Sequence, residues 1–249
     1  MQRVLIFVIL VLNTCMLEAQ KSFKTEQLKN KRVKAAYVTH ETTLKTALSD
    51  SGYSFDDIHI LIQAFKLEKE FRVYVKKKTD KSWKLFRTWD FCVLSGALGP
   101  KRKEGDLQVP EGFYHVSWFN PNSNFHLSLK VNYPNASDKI LSDREKPGGE
   151  IFIHGNCVSI GCIPLTDPIA EELYILAVEA TKNGQVQIPV YIYPCEMTEM
   201  KFSILQSFYA EKTELIDFWK NLKEGFDKFS VAAEELNFTV DKSGKYIFR

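Results

Sequence analysis

The chain has 249 residues, of which 45% are hydrophobic and 26% are charged. This composition is that of an ordinary globular protein with enough apolar residues for one good core, and the chain contains no internal repeat and no low-complexity segment. The formal net charge of +2 is too small to indicate a nucleic-acid partner or a strong attraction to membrane surfaces.

The first 19 residues have the three parts of a secretory signal peptide. Arg3 supplies a positive charge, nine apolar residues follow from Val4 to Leu12, and Ala19 is a small residue at the expected cleavage site. The apolar run is too short for a membrane span, which needs about 20 residues, and no later stretch predicts a stable membrane span. We therefore expect cleavage after Ala19, secretion across the inner membrane and a periplasmic location. The less favoured alternative is a lipoprotein anchored at Cys15.

Residues 20–57 and 58–195 differ in their local pattern. Residues 20–57 are rich in helix formers and predict one or two surface helices that end before the Ser51-Gly52 pair. Residues 58–195 carry short runs enriched in β-branched and aromatic side chains, which strands favour, and residues 71–75 alternate as a half-buried strand does. The predicted strands are 58–62, 71–75, 89–94, 112–119, 125–131, 150–153 and 188–193. This segment is predicted to form a β-rich catalytic domain.

Within it, a short segment places a histidine and a cysteine eight positions apart, each next to a glycine. His154 precedes Gly155, and Cys162 follows Gly161. A nucleophilic cysteine needs a base that converts the thiol into a thiolate, and backbone N–H groups that stabilise an oxyanion. A glycine lets the backbone approach a substrate closely and adopt conformations that a Cβ atom disfavours. The pattern predicts a cysteine acyl-transfer site with Cys162 as nucleophile and His154 as base.

The elements after the cysteine are predicted to be mainly helical. Asp167-Pro168 is typical of a helix start, with an N-cap side chain and a proline at the first helical position, and Asn183-Gly184 is typical of a helix end. This helix should pack behind the catalytic loop and hold Cys162 in place. In residues 196–249, apolar side chains recur at helical spacing and are followed by a small hairpin around Asp241–Gly244. We expect this extension to cap one edge of the core.

Beyond these local patterns, the chain resembles the L,D-transpeptidase (YkuD-domain) family of bacterial cell-wall enzymes, and its YafK-like branch most closely. The resemblance is carried by Ile153-His154-Gly155 followed by Ser159-Ile160-Gly161-Cys162, and it extends over residues 58–194. Its supporting segments are 95–106, 109–114, 125–129 and 132–135. It implies an α+β fold, in which a β-rich L,D-transpeptidase (YkuD-like) catalytic core is flanked by N- and C-terminal helices.

The resemblance also implies an activity. In the family, the cysteine attacks the L,D bond at the third residue of a peptidoglycan stem peptide and forms a thioester. The acyl group then passes from the cysteine to an amine, or to water. No cofactor is implied, and the partners are peptidoglycan stem peptides and a peptidoglycan-attached protein rather than nucleic acid. An alternative within the same class is an amidase or hydrolase that uses water to cleave cross-links or to detach a protein from peptidoglycan. A catalytically silent wall-binding module is disfavoured because the Cys162 and His154 pair is intact.

The same resemblance assigns roles around the nucleophile. The N–H groups of Gly161 and Cys162 are expected to bind the oxyanion, with the backbone of Gly155 beside them. Ser159 is a candidate substrate contact; its hydroxyl either supports the loop through a bond to the backbone or is simply a turn serine. His126 and Tyr133 are expected on the wall of the substrate groove. Most of the family has a second histidine directly before the Gly-Cys pair and an arginine two residues after the cysteine. Here those positions are Ile160 and Pro164, which leaves the acceptor and the bond that is cut open.

The remaining cysteines allow more than one arrangement. Cleavage after Ala19 leaves Cys92, Cys157 and Cys195 besides the nucleophile. We expect Cys157 to be a small buried thiol. A reversible disulfide between Cys157 and Cys162, or a structural disulfide between Cys92 and Cys195, are the alternatives, since connectivity is not readable from sequence. A metal site is not predicted, because neither C-x-x-C nor H-x-x-x-H spacing occurs.

Overall fold

The computed structural model describes residues 23–249, so the predicted signal peptide and Cys15 lie outside the described residues. Residues 23–27 are helical. The helices that follow are α1 (Lys31–Asp50), α2 (Ala136–Leu141), α3 (Asp167–Lys182), α4 (Glu199–Phe208) and α5 (Thr213–Ala232). The strands are β1 (Ile58–Phe65), β2 (Glu70–Lys77), β3 (Lys84–Asp90), β4 (Gly112–Asn120), β5 (Ser128–Val131), β6 (Phe152–His154), β7 (Ile163–Pro164), β8 (Pro189–Tyr193), β9 (Phe238–Val240) and β10 (Tyr246–Phe248).

Strands β1 to β8 form one mixed sheet in the order β3-β2-β1-β8-β4-β5-β6-β7. The β1–β8 and β6–β7 pairs are parallel, whereas the other neighbours are antiparallel. Strands β9 and β10 form a separate hairpin. The short strands β5, β6 and β7 lie together at one end of the sheet, and this end carries the predicted catalytic segment.

The sheet is covered on both faces, because successive side chains of a strand point to opposite sides. In β8, Val190 and Ile192 pack into one apolar cluster with α1 and α3, whereas Tyr191 and Tyr193 pack into a second cluster with α4 and α5. The β9–β10 hairpin adds Tyr246 to the second cluster. Strands with both faces buried read as continuous apolar runs, as β8 does. The predicted α+β architecture, with helices flanking a β-rich core, is confirmed.

Several predicted elements are confirmed with revised boundaries. The helix that follows the cysteine begins at Asp167 and ends at Lys182, and the predicted C-terminal helix and hairpin are both present. The N-cap of that helix is Thr166 rather than Asp167, and it makes no side-chain cap hydrogen bond. The short helices α2 and α4 were not predicted.

The third predicted strand was placed wrongly at residues 89–94, since β3 ends at Asp90. The chain leaves the sheet there because the Phe91 N–H donates to Lys69 O and the Cys92 N–H donates to Pro164 O, both at 2.9 Å. These two bonds direct the segment after β3 across the end of β7. Within residues 23–249, no helix combines the length and the apolar character that crossing a membrane requires.

Candidate active site

A cleft of about 470 Å³ opens at the β5–β6–β7 end of the sheet, and both His154 and Cys162 line it. Strands β6 and β7 pair with Ile153 opposite Ile163 and His154 opposite Pro164. Cys162 lies two residues before Pro164, so the alternation of side chains turns it to the same face as His154. The sheet thus brings the two predicted catalytic side chains into one cleft.

The position and tautomer of His154 are fixed by its own backbone surroundings. The side chain is buried, with 2% of the residue exposed, and the Phe125 ring lies 5.0 Å from the imidazole, centre to centre. Nδ1 lies 2.5 Å from the carbonyl oxygen of Gly155. A carbonyl oxygen only accepts hydrogen bonds, so Nδ1 carries the proton and Nε2 keeps a free lone pair. His154 is therefore in the tautomer that a general base facing the cleft requires.

Burial favours the neutral form of both His154 and Cys162. Desolvation lowers the pKa of His154, and the hydrogen bond to Gly155 opposes this shift. Desolvation raises the pKa of the Cys162 thiol, with the nearby Glu150 carboxylate acting in the same direction. The thiol donates a weak hydrogen bond to the Glu150 carbonyl oxygen, at 3.6 Å. These shifts favour a thiol and a neutral imidazole at neutral pH.

The end of the loop that precedes Cys162 is organised by the hydroxyl of Ser159. This hydroxyl donates to Cys162 O at 2.8 Å and accepts from the Gly161 N–H at 3.1 Å. Ser95 Oγ lies 3.0 Å away and donates to it, since the proton of Ser159 is already used. Gly161 has a φ of +135°, and a Cβ atom there would lie 3.1 Å from the carbonyl oxygen of Gln108. Only glycine combines this conformation with this close approach.

The start of the same loop is held by Asp167. Its Oδ1 accepts from the Asn156 N–H at 2.7 Å, and Asn156 has a φ of +62°. A Cβ atom on Gly155 would clash with Asp167 Oδ1 and would lie 3.0 Å from the Cβ of His126. Glycine is needed here for the close approach of these side chains. The sequence signal at Asp167 was read as a helix cap, so its contact with the catalytic loop was missed.

Ser128 lines the cleft, and the sequence gave no indication of a role for it. It lies opposite His154 in the β5–β6 pair and lines the cleft. Its hydroxyl is buried and finds no hydrogen-bond partner among residues 23–249. An unpaired buried hydroxyl costs about 1–3 kcal/mol, so its position beside the base is one where a bound ligand would relieve that cost. The one sequence feature that bears on Ser128 is that it alternates with Leu127 and Leu129, which places its side chain on the opposite face of the strand from theirs.

Two residues that were predicted to contact substrate lie elsewhere. His126 Nε2 is 2.7 Å from Glu171 Oε1, and the other oxygen of Glu171 is 2.7 Å from His40 Nε2. The hydroxyl of Tyr133 donates to Pro147 O at 2.9 Å. Neither His126 nor Tyr133 is among the side chains that line the cleft, whereas Ser159 is. The geometry thus supports the predicted cleft position of Ser159 and gives the other two a role in holding loops.

The cysteine pairing differs from every arrangement that was expected. Cys92 and Cys157 form a disulfide, with Cα atoms 5.1 Å apart. Cys157 is therefore not a free thiol, and neither Cys157–Cys162 nor Cys92–Cys195 is formed. Cys162 and Cys195 are the free cysteines within residues 23–249, and burial raises the pKa of Cys195 to about 12. The pairing follows from the course of the chain after β3, which no local pattern predicts.

The rim of the cleft is largely apolar. Ile160, directly before the Gly161-Cys162 pair, has 79% of its surface exposed, and Trp118, Phe125 and Val158 are 44–52% exposed. All four line the cleft. Exposed apolar side chains clustered at one cleft are typical of a binding surface. In the part of the chain that the structure describes, no three His, Cys, Asp or Glu side chains converge on a metal-binding geometry.

The chain is similar to known proteins in sequence and in fold. Residues 60–192 match YkuD, the L,D-transpeptidase catalytic domain. The chain is 34% identical over 190 residues to YafK of Escherichia coli strain K12, a proposed L,D-transpeptidase, and the match covers 76% of this chain and 73% of YafK. The helical cell shape determining protein Pgp2 from Campylobacter jejuni is 20% identical over 74% of both chains, with a TM-score of 0.45. L,D-transpeptidase 1 of Mycobacterium tuberculosis is 18% identical over 54% of this chain and 62% of that chain, with a TM-score of 0.31.

Proposed function

Because this chain belongs to the YkuD family of L,D-transpeptidase catalytic domains, we propose that it is a peptidoglycan-modifying cysteine acyltransferase that attacks the L,D bond of a stem peptide. The observation that carries the proposal is the pairing of Cys162 and His154 in one cleft, with the free lone pair of His154 on Nε2. Covalent acyl transfer requires a thiol and an imidazole that can accept its proton, and these two side chains line the same cleft. Cys162 is the proposed nucleophile and His154 the proposed base.

In the first step, His154 Nε2 takes the thiol proton while the sulfur of Cys162 attacks the substrate carbonyl carbon. The tetrahedral intermediate then collapses, the amide C–N bond breaks, and His154 returns the proton to the leaving amine. A thioester on Cys162 remains. Burial favours the neutral thiol and the neutral imidazole before substrate binds. The thiolate and the imidazolium would therefore form during the reaction with substrate.

The oxyanion is proposed to bind to the backbone N–H groups of Cys162 and Gly161. The Gly161 N–H already donates to Ser159 Oγ at 3.1 Å, so it would share its proton between the hydroxyl and the oxyanion. Gly155 contributes its carbonyl oxygen to the base rather than a donor to the oxyanion. Removing one oxyanion donor from a site of this kind costs about 10²–10³ in rate.

Substrate contacts are proposed on the walls of the cleft. The unpartnered hydroxyl of Ser128 would bond an amide of the stem peptide, since it lies beside His154. The exposed side chains of Ile160 and Trp118 would cover the peptide backbone and exclude water from the thioester. Exclusion of water favours transfer of the acyl group to an amine over hydrolysis. This is the reason for preferring the transpeptidase to the hydrolase alternative.

We also propose that the protein acts in the periplasm. The disulfide between Cys92 and Cys157 supports this location, since such bonds form and persist in oxidising compartments. The proposed partners there are peptidoglycan stem peptides and a protein attached to peptidoglycan.

The test is mass spectrometry of purified sacculi incubated with residues 20–249, with Cys162→Ala as the inactive variant and Cys195→Ala as the matched control, because Cys195 is the other free thiol. New cross-links between diamino acids, formed by wild type and Cys195→Ala only, would support transpeptidation. Loss of cross-links, or release of an attached protein, would assign the hydrolase reaction. Unchanged sacculi together with no thioester on Cys162 would refute both.

A further inference from the structure

The peptide group between Gly155 and Asn156 is bonded on both sides within the catalytic region. Its carbonyl oxygen accepts from His154 Nδ1 at 2.5 Å, and its N–H donates to Asp167 Oδ1 at 2.7 Å. The C=O and N–H of one peptide group lie in a single rigid plane. The carboxylate of Asp167, this peptide group and the imidazole of His154 therefore form one continuous chain of hydrogen bonds.

Asp167 is not used in the way that its place in the sequence suggests. It begins α3, but Thr166 is the N-cap and the helix has no side-chain cap bond. The carboxylate bonds instead to Asn156, which adopts a left-handed φ of +62° that non-glycine residues rarely adopt. Gly155 must lack a Cβ atom for the carboxylate to approach so closely. The strained backbone of Asn156 and the close approach at Gly155 thus occur together around this single contact.

We propose that Asp167 is the third member of the catalytic system, a positioning residue that acts on His154 through the Gly155–Asn156 peptide group. This inference rests on the proposed use of His154 as the base. In known triads the carboxylate contacts the imidazole directly and stabilises the imidazolium that forms. Here the negative charge of Asp167 polarises the peptide group, so that the carbonyl oxygen of Gly155 becomes a stronger acceptor for Nδ1–H. The result is a fixed imidazole and a more basic Nε2.

Among the residues that the structure describes, the other groups around His154 do not supply a carboxylate that supports the imidazole. Phe125 and Ser128 face the imidazole from the β5 side and carry no charge, and Cys162 lines the same cleft. His126 lies beside Gly155, but its imidazole is bonded to Glu171. Asp167 is thus the carboxylate that is hydrogen-bonded to the peptide group holding the base.

The proposal is tested with Asp167→Asn, which keeps the shape and an amide oxygen acceptor but removes the charge, and with Asp167→Ala, which removes both. Glu199→Gln is the matched control, because Glu199 lies in the first turn of α4 and its side chain is 90% exposed. One readout is the NMR titration of the His154 ring. The other is the pH profile of Cys162 alkylation by iodoacetamide, followed on the Cys162 peptide by mass spectrometry.

We expect alkylation at pH 7 to fall about tenfold in Asp167→Ala and less in Asp167→Asn, with the His154 titration moved to lower pH in both, because a charge-assisted bond no longer supports the imidazolium. Glu199→Gln should match wild type. An unchanged titration and pH profile in Asp167→Asn would overturn the proposal even if Asp167→Ala fails to fold. Iodoacetamide needs no peptidoglycan, so this outcome is independent of whether wild type acts on sacculi.

Discussion

The disulfide between Cys92 and Cys157 should contribute several kcal/mol to the free energy of unfolding. It joins the segment after β3 to the catalytic loop and closes a covalent loop over a sequence separation of 65 residues. Replacing both cysteines with serine opens this loop in the unfolded chain, which then gains conformational freedom. In the chain-entropy description, a loop of this length is worth about 4 kcal/mol at 25 °C. That is a large share of the 5–15 kcal/mol by which a domain is typically stable.

Guanidinium unfolding at equilibrium measures this effect. The Cys92→Ser/Cys157→Ser variant should lose about 4 kcal/mol of unfolding free energy relative to oxidised wild type, and wild type reduced with dithiothreitol should lose a similar amount. The Cys195→Ala control should keep the full dependence on reductant, because Cys195 lies outside the disulfide. A difference below about 1 kcal/mol between oxidised and reduced wild type would refute the reasoning.

Three further outcomes follow from the site and its support. Lys66 and Glu111 form a fully buried pair at 2.9 Å, so Lys66→Met should cost about 3–5 kcal/mol in urea unfolding, and adding Glu111→Gln should recover part of it. In Gly155→Ala, the new Cβ atom would clash with Asp167 and shift the Gly155 carbonyl that holds His154, so Cys162 alkylation should slow about 10²-fold. A rate equal to that of wild type would contradict the close approach of Asp167 to Gly155. Burial lowers the pKa of His154 below its ordinary 6.5, so the NMR titration midpoint of the His154 ring should lie below pH 6.5; a midpoint above pH 7 would contradict this.

Sequence reasoning succeeded where a local pattern carries the physical cause. The alternation of residues 71–75 and the apolar run of β1 predicted strands, because side-chain direction in a strand has a period of two. The Asp167-Pro168 and Asn183-Gly184 pairs marked the ends of α3 to within one residue. His154 and Cys162 were selected as candidates because each lies beside a glycine, and the structure places both side chains in one cleft.

The remaining features depend on which distant segments meet. Residues 91–94 have the composition of a strand, yet bonds to Lys69 and Pro164 turn the chain out of the sheet at Phe91 and Cys92. That turn brings Cys92 to Cys157, so the error in the strand boundary and the error in the disulfide have a single cause. His126 was expected on the groove wall from the family resemblance, but its backbone has a φ of +62° and its imidazole is hydrogen-bonded to Glu171.

Asp167 was missed for a different reason, which concerns how this site is built. The side chains of Asp167 and Ser159 bond mainly to backbone groups rather than to other side chains. Asp167 bonds to the N–H of Asn156, and the hydroxyl of Ser159 bonds to Cys162 O and the Gly161 N–H. Every residue except proline offers the same backbone N–H and C=O, so such contacts leave no second residue type in the sequence to recognise. A search for an acidic partner of His154 among side chains therefore finds none, although the carboxylate is only one peptide group away.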